Sequence, residues 1–136
     1  MTTDFIHLNK TWNAEPNVPD ERIEVHDNYL TLSFLVNPWV YEQYDEGQRV
    51  ELRFYGCTKW RNGLTNDEGW YKGQCRFSTL APEWGEFYEI TGNRLLKQCP
   101  DDWQTITKGI GEKHFLFYLK DSTFECEAVS YEFIQR

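Results

Sequence analysis

The sequence lacks an excess of basic residues and lacks any long hydrophobic run. Lysine and arginine number 14 against 22 aspartates and glutamates, which gives a formal charge of -8 and an isoelectric point near 4.8. Because nucleic acids and anionic membranes bind clustered lysines and arginines, we expect neither as a partner. No apolar run approaches the roughly 18 residues of a membrane span, and the first ten residues do not resemble a signal peptide. The sequence therefore predicts a cytoplasmic protein.

Cysteine and histidine are scarce and are not spaced as metal ligands. The cysteines are Cys57, Cys75, Cys99 and Cys126, with no C-x-x-C among them. The three histidines have no cysteine, histidine or carboxylate at a recognisable ligand spacing. We expect no metal, no cofactor and four free, mostly buried thiols, as suits a reducing compartment. A disulfide or a metal site built from distant residues is the alternative.

Familiar catalytic motifs are absent as well. The chain contains no G-x-S-x-G, and its glycines are not spaced as a phosphate-binding loop. Glu86 and Glu89 are three apart on a predicted strand, so they point to opposite faces and cannot act as a pair. We therefore expect no enzyme. An enzyme whose site is assembled across strands, with Glu83 or Glu86 pairing a distant carboxylate, is the remaining catalytic alternative.

Aromatic residues, in contrast, are abundant at 17%, and apolar residues alternate with polar ones along much of the chain. This period of two predicts half-buried strands. The predicted strands are residues 22–26, 29–36, 49–60, 70–77, 86–91, 114–119 and 123–134. The predicted core residues are Leu30, Leu32, Phe34, Val50, Leu52, Phe54, Phe115 and Phe117.

Strand–turn–strand order predicts an all-β fold for residues 1–136: a single-domain antiparallel β-sandwich or partly open barrel. We expect at most one or two short helical turns, one of them near residues 100–104, where a proline precedes two aspartates. Residues 1–21 contain two prolines and no periodicity, so they are predicted as a surface loop that Trp12 attaches to the body. Residues 39–48 are predicted as a second long loop.

Residues 56–90 concentrate tryptophan, tyrosine and carboxylates around turn sequences. Recognition residues are commonly carried on loops held by a rigid scaffold, and tryptophan is a frequent anchor. The candidate binding residues are Trp39, Trp60, Asp67, Glu68, Trp70, Tyr71, Trp84 and Glu86. The alternative is that the loop tryptophans only cover the open ends of a small barrel.

Several segments together resemble a family of small uncharacterised bacterial proteins. They are W-N-A-E-P-N (12–17), T-N-D-E-G-W-Y (65–71), G-Q-C-R-F-S (73–78), W-G-E-F-Y-E-I (84–90) and F-E-C-E-A (124–128). This resemblance spans nearly the whole chain and transfers no catalytic residue. Residues 22–56 have a second, weaker similarity, to small acidic immunity proteins that neutralise bacterial toxins. That similarity implies a cytoplasmic inhibitor without catalysis.

The sequence thus favours a non-catalytic cytoplasmic bacterial protein that binds another protein. The negative charge favours a basic partner, and an immunity-type toxin inhibitor is the particular case. A small-ligand or carbohydrate-binding β-barrel is a second hypothesis, which explains the aromatic residues but makes no use of the negative charge. The enzyme assembled across strands is the third.

Overall fold

The computed structural model describes residues 2–63, 71–72, 77–80, 82–95, 100–107 and 112–135. Within these ranges the chain forms ten β-strands and one short 3-10 turn, Ser78–Leu80. The strands are β1 (Thr3–His7), β2 (Arg22–Val25), β3 (Tyr29–Leu35), β4 (Arg49–Tyr55), β5 (Lys59–Gly63), β6 (Phe87–Gly92), β7 (Gln104–Thr105), β8 (Lys113–Tyr118), β9 (Thr123–Ala128) and β10 (Ser130–Gln135).

The strands form two antiparallel sheets that pack as a sandwich, not as a closed barrel. The four-stranded sheet has the order β10-β4-β3-β2, and the six-stranded sheet has the order β1-β6-β8-β9-β5-β7. The predicted all-β class and the sandwich are therefore confirmed. No helix in the described part of the chain is long and apolar enough to cross a membrane.

The core between the sheets is built from the apolar positions of the alternating pattern. All eight predicted core residues are 0% exposed. They join one cluster that also includes Phe87, Phe124 and Cys126. The rings of Phe54 and Phe115 lie 5.3 Å apart, within the range in which aromatic pairs attract each other. Tyr29 and Tyr55 flank this core at the paired ends of β3 and β4.

The outer face of the six-stranded sheet is buried too. A second cluster there contains Phe77, Tyr88, Ile90, Leu116 and Tyr118. Strand β8 is consequently buried at five of its six residues and β9 at all six. This double burial explains why the alternation in β9 is mixed: both faces of the strand are covered.

Two strands that the sequence predicts as continuous are each divided between the sheets. The predicted strand 49–60 breaks at Gly56, whose φ is +63°, and continues in the other sheet as β5. The predicted strand 123–134 breaks at Val129, between β9 and β10. The two crossings are neighbours, since Val129 N donates to Tyr55 O at 2.9 Å.

The N-terminal segment is not the simple loop that was predicted. Residues Thr3–His7 form β1, which pairs with β6 at the edge of the six-stranded sheet. Trp12 is 5% exposed and stacks on Phe133, with ring centroids 4.4 Å apart and planes 6° apart. The predicted anchoring role of Trp12 is thus supported by its packing.

Two further predictions need correction. The helical turn expected near residues 100–104 does not form, because Gln104 and Thr105 pair with β5 as strand β7. Of the strand predicted at 70–77, the described residues Tyr71, Lys72 and Phe77 are not in a strand, and the others lie outside the described ranges.

Two other predictions agree with the structure. The loop predicted at 39–48 contains no helix or strand. Cys57 and Cys126 are free and buried, as expected, whereas Cys75 and Cys99 lie outside the described residues.

Gly92 ends β6 at a position that no larger residue fits. Its φ is +74°, and a Cβ there would lie 2.1 Å from the backbone oxygen of Thr2, which accepts a hydrogen bond from Asn93 N. We expect Gly92→Ala to lower the free energy of unfolding by about 2–4 kcal/mol in urea titrations. Gly85→Ala is the matched control, since Gly85 has a φ of +87° and open space around it; it should cost about 1–2 kcal/mol. Equal costs would show that the contact with Thr2 is unimportant.

Candidate functional site

Among the predicted binding residues that the structure describes, Trp39 is the tryptophan most exposed to solvent. Its exposed fraction is 62%, and that of the adjacent Val40 is 65%. Both residues lie in the loop that joins β3 to β4. Tryptophan is buried for most of its surface in the average protein, so an exposed one next to an exposed valine is informative.

Backbone hydrogen bonds fix this loop against the segment before β2. Asn37 N donates to Asn13 O at 2.9 Å, and Val36 N donates to Gln48 O at 3.0 Å. Trp39 N in turn donates to Asn37 Oδ1 at 2.9 Å. We call the surface formed by residues 13–20 and 36–48 the loop face. Hydrogen bonds hold its backbone to the scaffold, and they include the backbone N–H of Trp39.

A groove of about 400 Å³ runs across the loop face. Its apolar lining includes Val18, Leu35, Pro38 and Trp39, and its acidic lining is Glu15 and Glu46. We call it the Trp39 groove. Apolar walls with a few charged groups at fixed positions are typical of sites that bind an extended segment or a small molecule.

The two segments of the loop face are acidic in composition. Its two segments contain five carboxylates and no lysine or arginine: Glu15, Asp20, Glu42, Asp45 and Glu46. One of the five is neutralised, because Arg22 and Arg49 both form ion pairs with Asp20. The Glu15 carboxylate accepts hydrogen bonds from the backbone N–H groups of Asn17, at 3.1 Å, and Val18, which fixes its charge at the groove.

Trp84 borders a second, smaller cleft whose lining has one residue, Glu15, in common with the Trp39 groove. The cleft has a volume of about 230 Å³ and is lined by Glu15, Asn13, Trp84 and Lys120, among others. Trp84 is half-buried, and its ring lies 4.9 Å from that of Tyr118. Glu15 therefore stands between the two tryptophans that the sequence singles out.

The structure does not bring the other predicted residues to this surface. Trp60 was expected beside a loop but lies within β5, half-buried against the core. Glu86 hydrogen-bonds to His7, at 3.1 Å, and to Asn9, so it ties the N-terminal segment to β6. Tyr71 is 74% exposed but lines neither the groove nor the cleft.

Three members of the predicted set lie outside the described residues: Asp67, Glu68 and Trp70. Their assignment to the binding set stays a prediction.

Sequence reasoning missed a network of buried charges on the outer face of the six-stranded sheet. Arg61 donates from Nη1 to Glu125 Oε2 and from Nε to Asp102 Oδ1, each at 2.7 Å. His114 Nε2 lies 2.8 Å from Glu125 Oε1. The hydrogen bonds from Arg61 lower the pKa of Asp102, since they stabilise its charged form.

The same network continues along β9 at Glu127. Lys59 Nζ lies 3.8 Å from Glu127 Oε2, and Arg94 Nη1 lies 3.3 Å from Glu127 Oε1. Trp103 covers this part of the network: Lys59 Nζ is 4.7 Å from the centre of its ring, a distance at which a cation and an aromatic face attract. Lysine and arginine thus neutralise the second buried glutamate.

A histidine hydrogen-bonded to a carboxylate is a possible general base. Here, however, His114 is 1% exposed and the Glu125 side chain 2%, so a substrate has no contact surface at the pair. We interpret the network as structural. The sequence pattern that could have indicated this network is Glu-x-Glu in β9. Its basic partners lie on neighbouring strands.

In the described part of the chain, no three histidine, cysteine or acidic side chains are grouped as metal ligands.

No protein-family model, curated protein or solved structure matches this chain. The resemblances stated from the sequence therefore stay predictions, and the functional argument depends on the geometry of the loop face.

Proposed function

We propose that this chain is a non-catalytic protein-binding module of the bacterial cytoplasm, and that a basic segment of its partner occupies the Trp39 groove. The observation that carries this proposal is an exposed tryptophan on a loop face whose two segments contain five carboxylates and no lysine or arginine. Trp39 would serve as the anchor, because tryptophans at interface centres commonly contribute about 2 kcal/mol or more. Glu15 and Glu46 would face lysine or arginine side chains of the partner.

Charge supports a basic protein as the occupant. The two segments of the loop face contain no lysine or arginine, and the whole chain carries -8. Complementary charge accelerates encounter and excludes partners of the same sign. The similarity of residues 22–56 to acidic immunity proteins suggests a particular partner class, a basic toxin domain held inactive by this chain.

Paired synthetic peptides test the chemistry of the groove. The two peptides share length and apolar residues, and one carries lysine where the other carries glutamate. We expect the lysine peptide alone to bind, as measured by fluorescence anisotropy, and we expect its affinity to fall at least about tenfold in Trp39→Ala. Added salt should weaken the binding.

Val25→Ala is the control for this measurement, because Val25 is also half-exposed, at 50%, but lies on edge strand β2. It should leave the affinity unchanged. Equal binding of the lysine and glutamate peptides, or an unchanged affinity in Trp39→Ala, would refute the proposed site. For the immunity hypothesis, the protein encoded by the adjacent gene is the probe, with the same two variants.

The Trp84 cleft favours one second candidate, a small-ligand or carbohydrate site. Its tryptophan, amide and charged groups are the kinds that stack on and hydrogen-bond to sugars. A glycan array separates the candidates: a carbohydrate site predicts binding that Trp84→Ala abolishes, that Trp39→Ala does not affect and that salt barely changes.

A further inference from the structure

Strand β2 forms one edge of the four-stranded sheet, and no strand in the described part of the chain pairs with its outer side. The hydrogen bond from His26 N to Tyr29 O, at 2.8 Å, fixes which backbone groups of β2 face β3. Hydrogen-bonded and non-hydrogen-bonded pairs alternate along an antiparallel ladder, so the N–H and C=O groups of Ile23 and Val25 point away from β3. An edge strand of this kind is a template on which a further strand can pair.

The side chains of β2 are arranged symmetrically about one apolar residue. Ile23 lies opposite Leu32 and packs against the core between the sheets. Its neighbours Arg22 and Glu24 therefore lie on the outer face of the sandwich, where their side chains are 63% and 71% exposed. Val25, on the same face as Ile23, is 50% exposed. The edge thus presents two opposite charges and an uncovered valine.

This arrangement makes β2 complementary to a second copy of itself. If two copies pair antiparallel with Ile23 opposite Ile23, Arg22 of each copy lies opposite Glu24 of the other. Both of these charge pairs occupy non-hydrogen-bonded positions, where facing side chains are closest. A shift of two residues in either direction is the smallest that keeps the backbone groups aligned. It would place Arg22 opposite Arg22 or Glu24 opposite Glu24, so charge selects a single register.

We propose that two copies of this chain associate through β2 in this register, which joins their four-stranded sheets into one continuous sheet. Arg22 forms an ion pair with Asp20 at 2.9 Å in its own chain, and its guanidinium has further N–H groups for Glu24 of the second copy. No residue of β2 lines the Trp39 groove, so this interface and the proposed binding site can be tested separately.

The size of the contact predicts how tightly the copies associate. Strand β2 has four residues, so its pairing buries much less surface than the roughly 1,200–2,000 Å² of a stable interface. We therefore expect a weak dimer that is dissociated at about 1 µM and largely formed at about 500 µM. Sedimentation of the whole chain over this range should show the average mass rising from 16.3 kDa toward twice that value. A mass that stays at 16.3 kDa throughout would overturn the proposal.

Charge reversals test the register. Arg22→Glu and Glu24→Arg each place like charges opposite one another at two positions of the symmetric pair, so each should raise the dissociation constant at least about tenfold. The double variant restores opposite charges and should return the constant to within about threefold of wild type. Asp4→Arg, an exposed reversal on edge strand β1 of the other sheet, is the matched control and should have no effect. A double variant as weak as the single ones, or an equal effect of Asp4→Arg, would refute this register.

Amide hydrogen exchange followed by nuclear magnetic resonance locates the interface within β2. The N–H groups of Ile23 and Val25 would enter hydrogen bonds only in the dimer, so their exchange at about 500 µM should be at least about threefold slower than at low concentration. The N–H groups of Arg22 and Glu24 face β3 in the monomer and should exchange at the same rate at both concentrations. A dimer in which Ile23 and Val25 exchange as in the monomer would have its interface elsewhere and would contradict the proposal.

Discussion

Arg61→Ala is expected to lower the free energy of unfolding by about 3–5 kcal/mol, the usual cost of removing one partner from a buried ion pair. The Arg61 side chain is 10% exposed, and its partner Glu125 is 2% exposed. Without the guanidinium, the buried Glu125 carboxyl loses its hydrogen bond and ion pair with Arg61, and Asp102 loses both of its hydrogen bonds to Arg61. Urea unfolding at neutral pH, with unchanged slope, measures the loss.

Arg22→Ala is the control for this prediction, since the pair Arg22–Asp20 is exposed, with side chains 63% and 48% accessible. It should change stability by less than about 0.5 kcal/mol.

The pH dependence of stability is a second measurement of the same network. Because Arg61 lowers the folded-state pKa of Asp102, that carboxyl stabilises the fold above its unfolded pKa, and this contribution disappears as the pH falls through the folded pKa. The difference between wild type and Arg61→Ala should therefore shrink in acid; a constant small difference would show that the network is well solvated.

Trp12→Ala should cost about 3–5 kcal/mol of unfolding free energy, as other large-to-small aromatic substitutions in cores do. The indole is 5% exposed and contacts several core rings, at centroid distances of 4.4 Å to Phe133, 5.6 Å to Phe34 and 5.8 Å to Phe117. Its removal would leave a cavity where the N-terminal segment meets both sheets. Denaturant unfolding measures the cost.

Trp39→Ala is the same substitution at an exposed tryptophan and should change stability by less than about 0.5 kcal/mol. The pair of variants separates a tryptophan that stabilises the core from one available for binding. A large loss of stability in Trp39→Ala would mean that this ring supports its loop, and it would remove the basis of the proposed binding site. A loss below about 1 kcal/mol in Trp12→Ala would show that the N-terminal segment is not anchored by that ring.

The inner faces of the sandwich can be predicted from sequence because they depend on local alternation. Leu30, Leu32 and Phe34 repeat at a period of two, and the structure buries all three. The crossings at Gly56 and Val129 cannot be predicted in this way. An alternating pattern indicates that a strand is half-buried, but it does not indicate which sheet the strand joins.

The buried charges depend on partners that are distant in sequence. Glu125 is 64 residues from Arg61 and 11 from His114, so its burial becomes understandable only when the register of three strands is known. Read alone, Glu-x-Glu in a strand indicates a solvated face. That interpretation is wrong here, because ion pairs with residues distant in sequence allow both glutamates to be buried.

The candidate site is predictable only in part for the same reason. Trp39 follows Asn37 and Pro38, a turn sequence that correctly places the ring on a loop. Trp60 ends the predicted strand 49–60 and was therefore expected beside a loop, yet β5 continues to Gly63 and pairs with β9, which draws the ring toward the core. The contribution of Glu15 was not predicted, because it arises from two loops that meet in space.

The pairing pattern of the sheets also has a consequence for how the chain is made. Strand β10 pairs with β4, and β1 pairs with β6, so each sheet contains strand partners about 75–90 residues apart in sequence. Strands β8 and β9, at the centre of the six-stranded sheet, come late in the chain. During synthesis, the apolar faces of β3 and β4 therefore emerge well before the strands that cover them. We expect a nascent chain that stays unfolded on the ribosome until these last strands emerge, and that then folds slowly, as proteins dominated by distant contacts do.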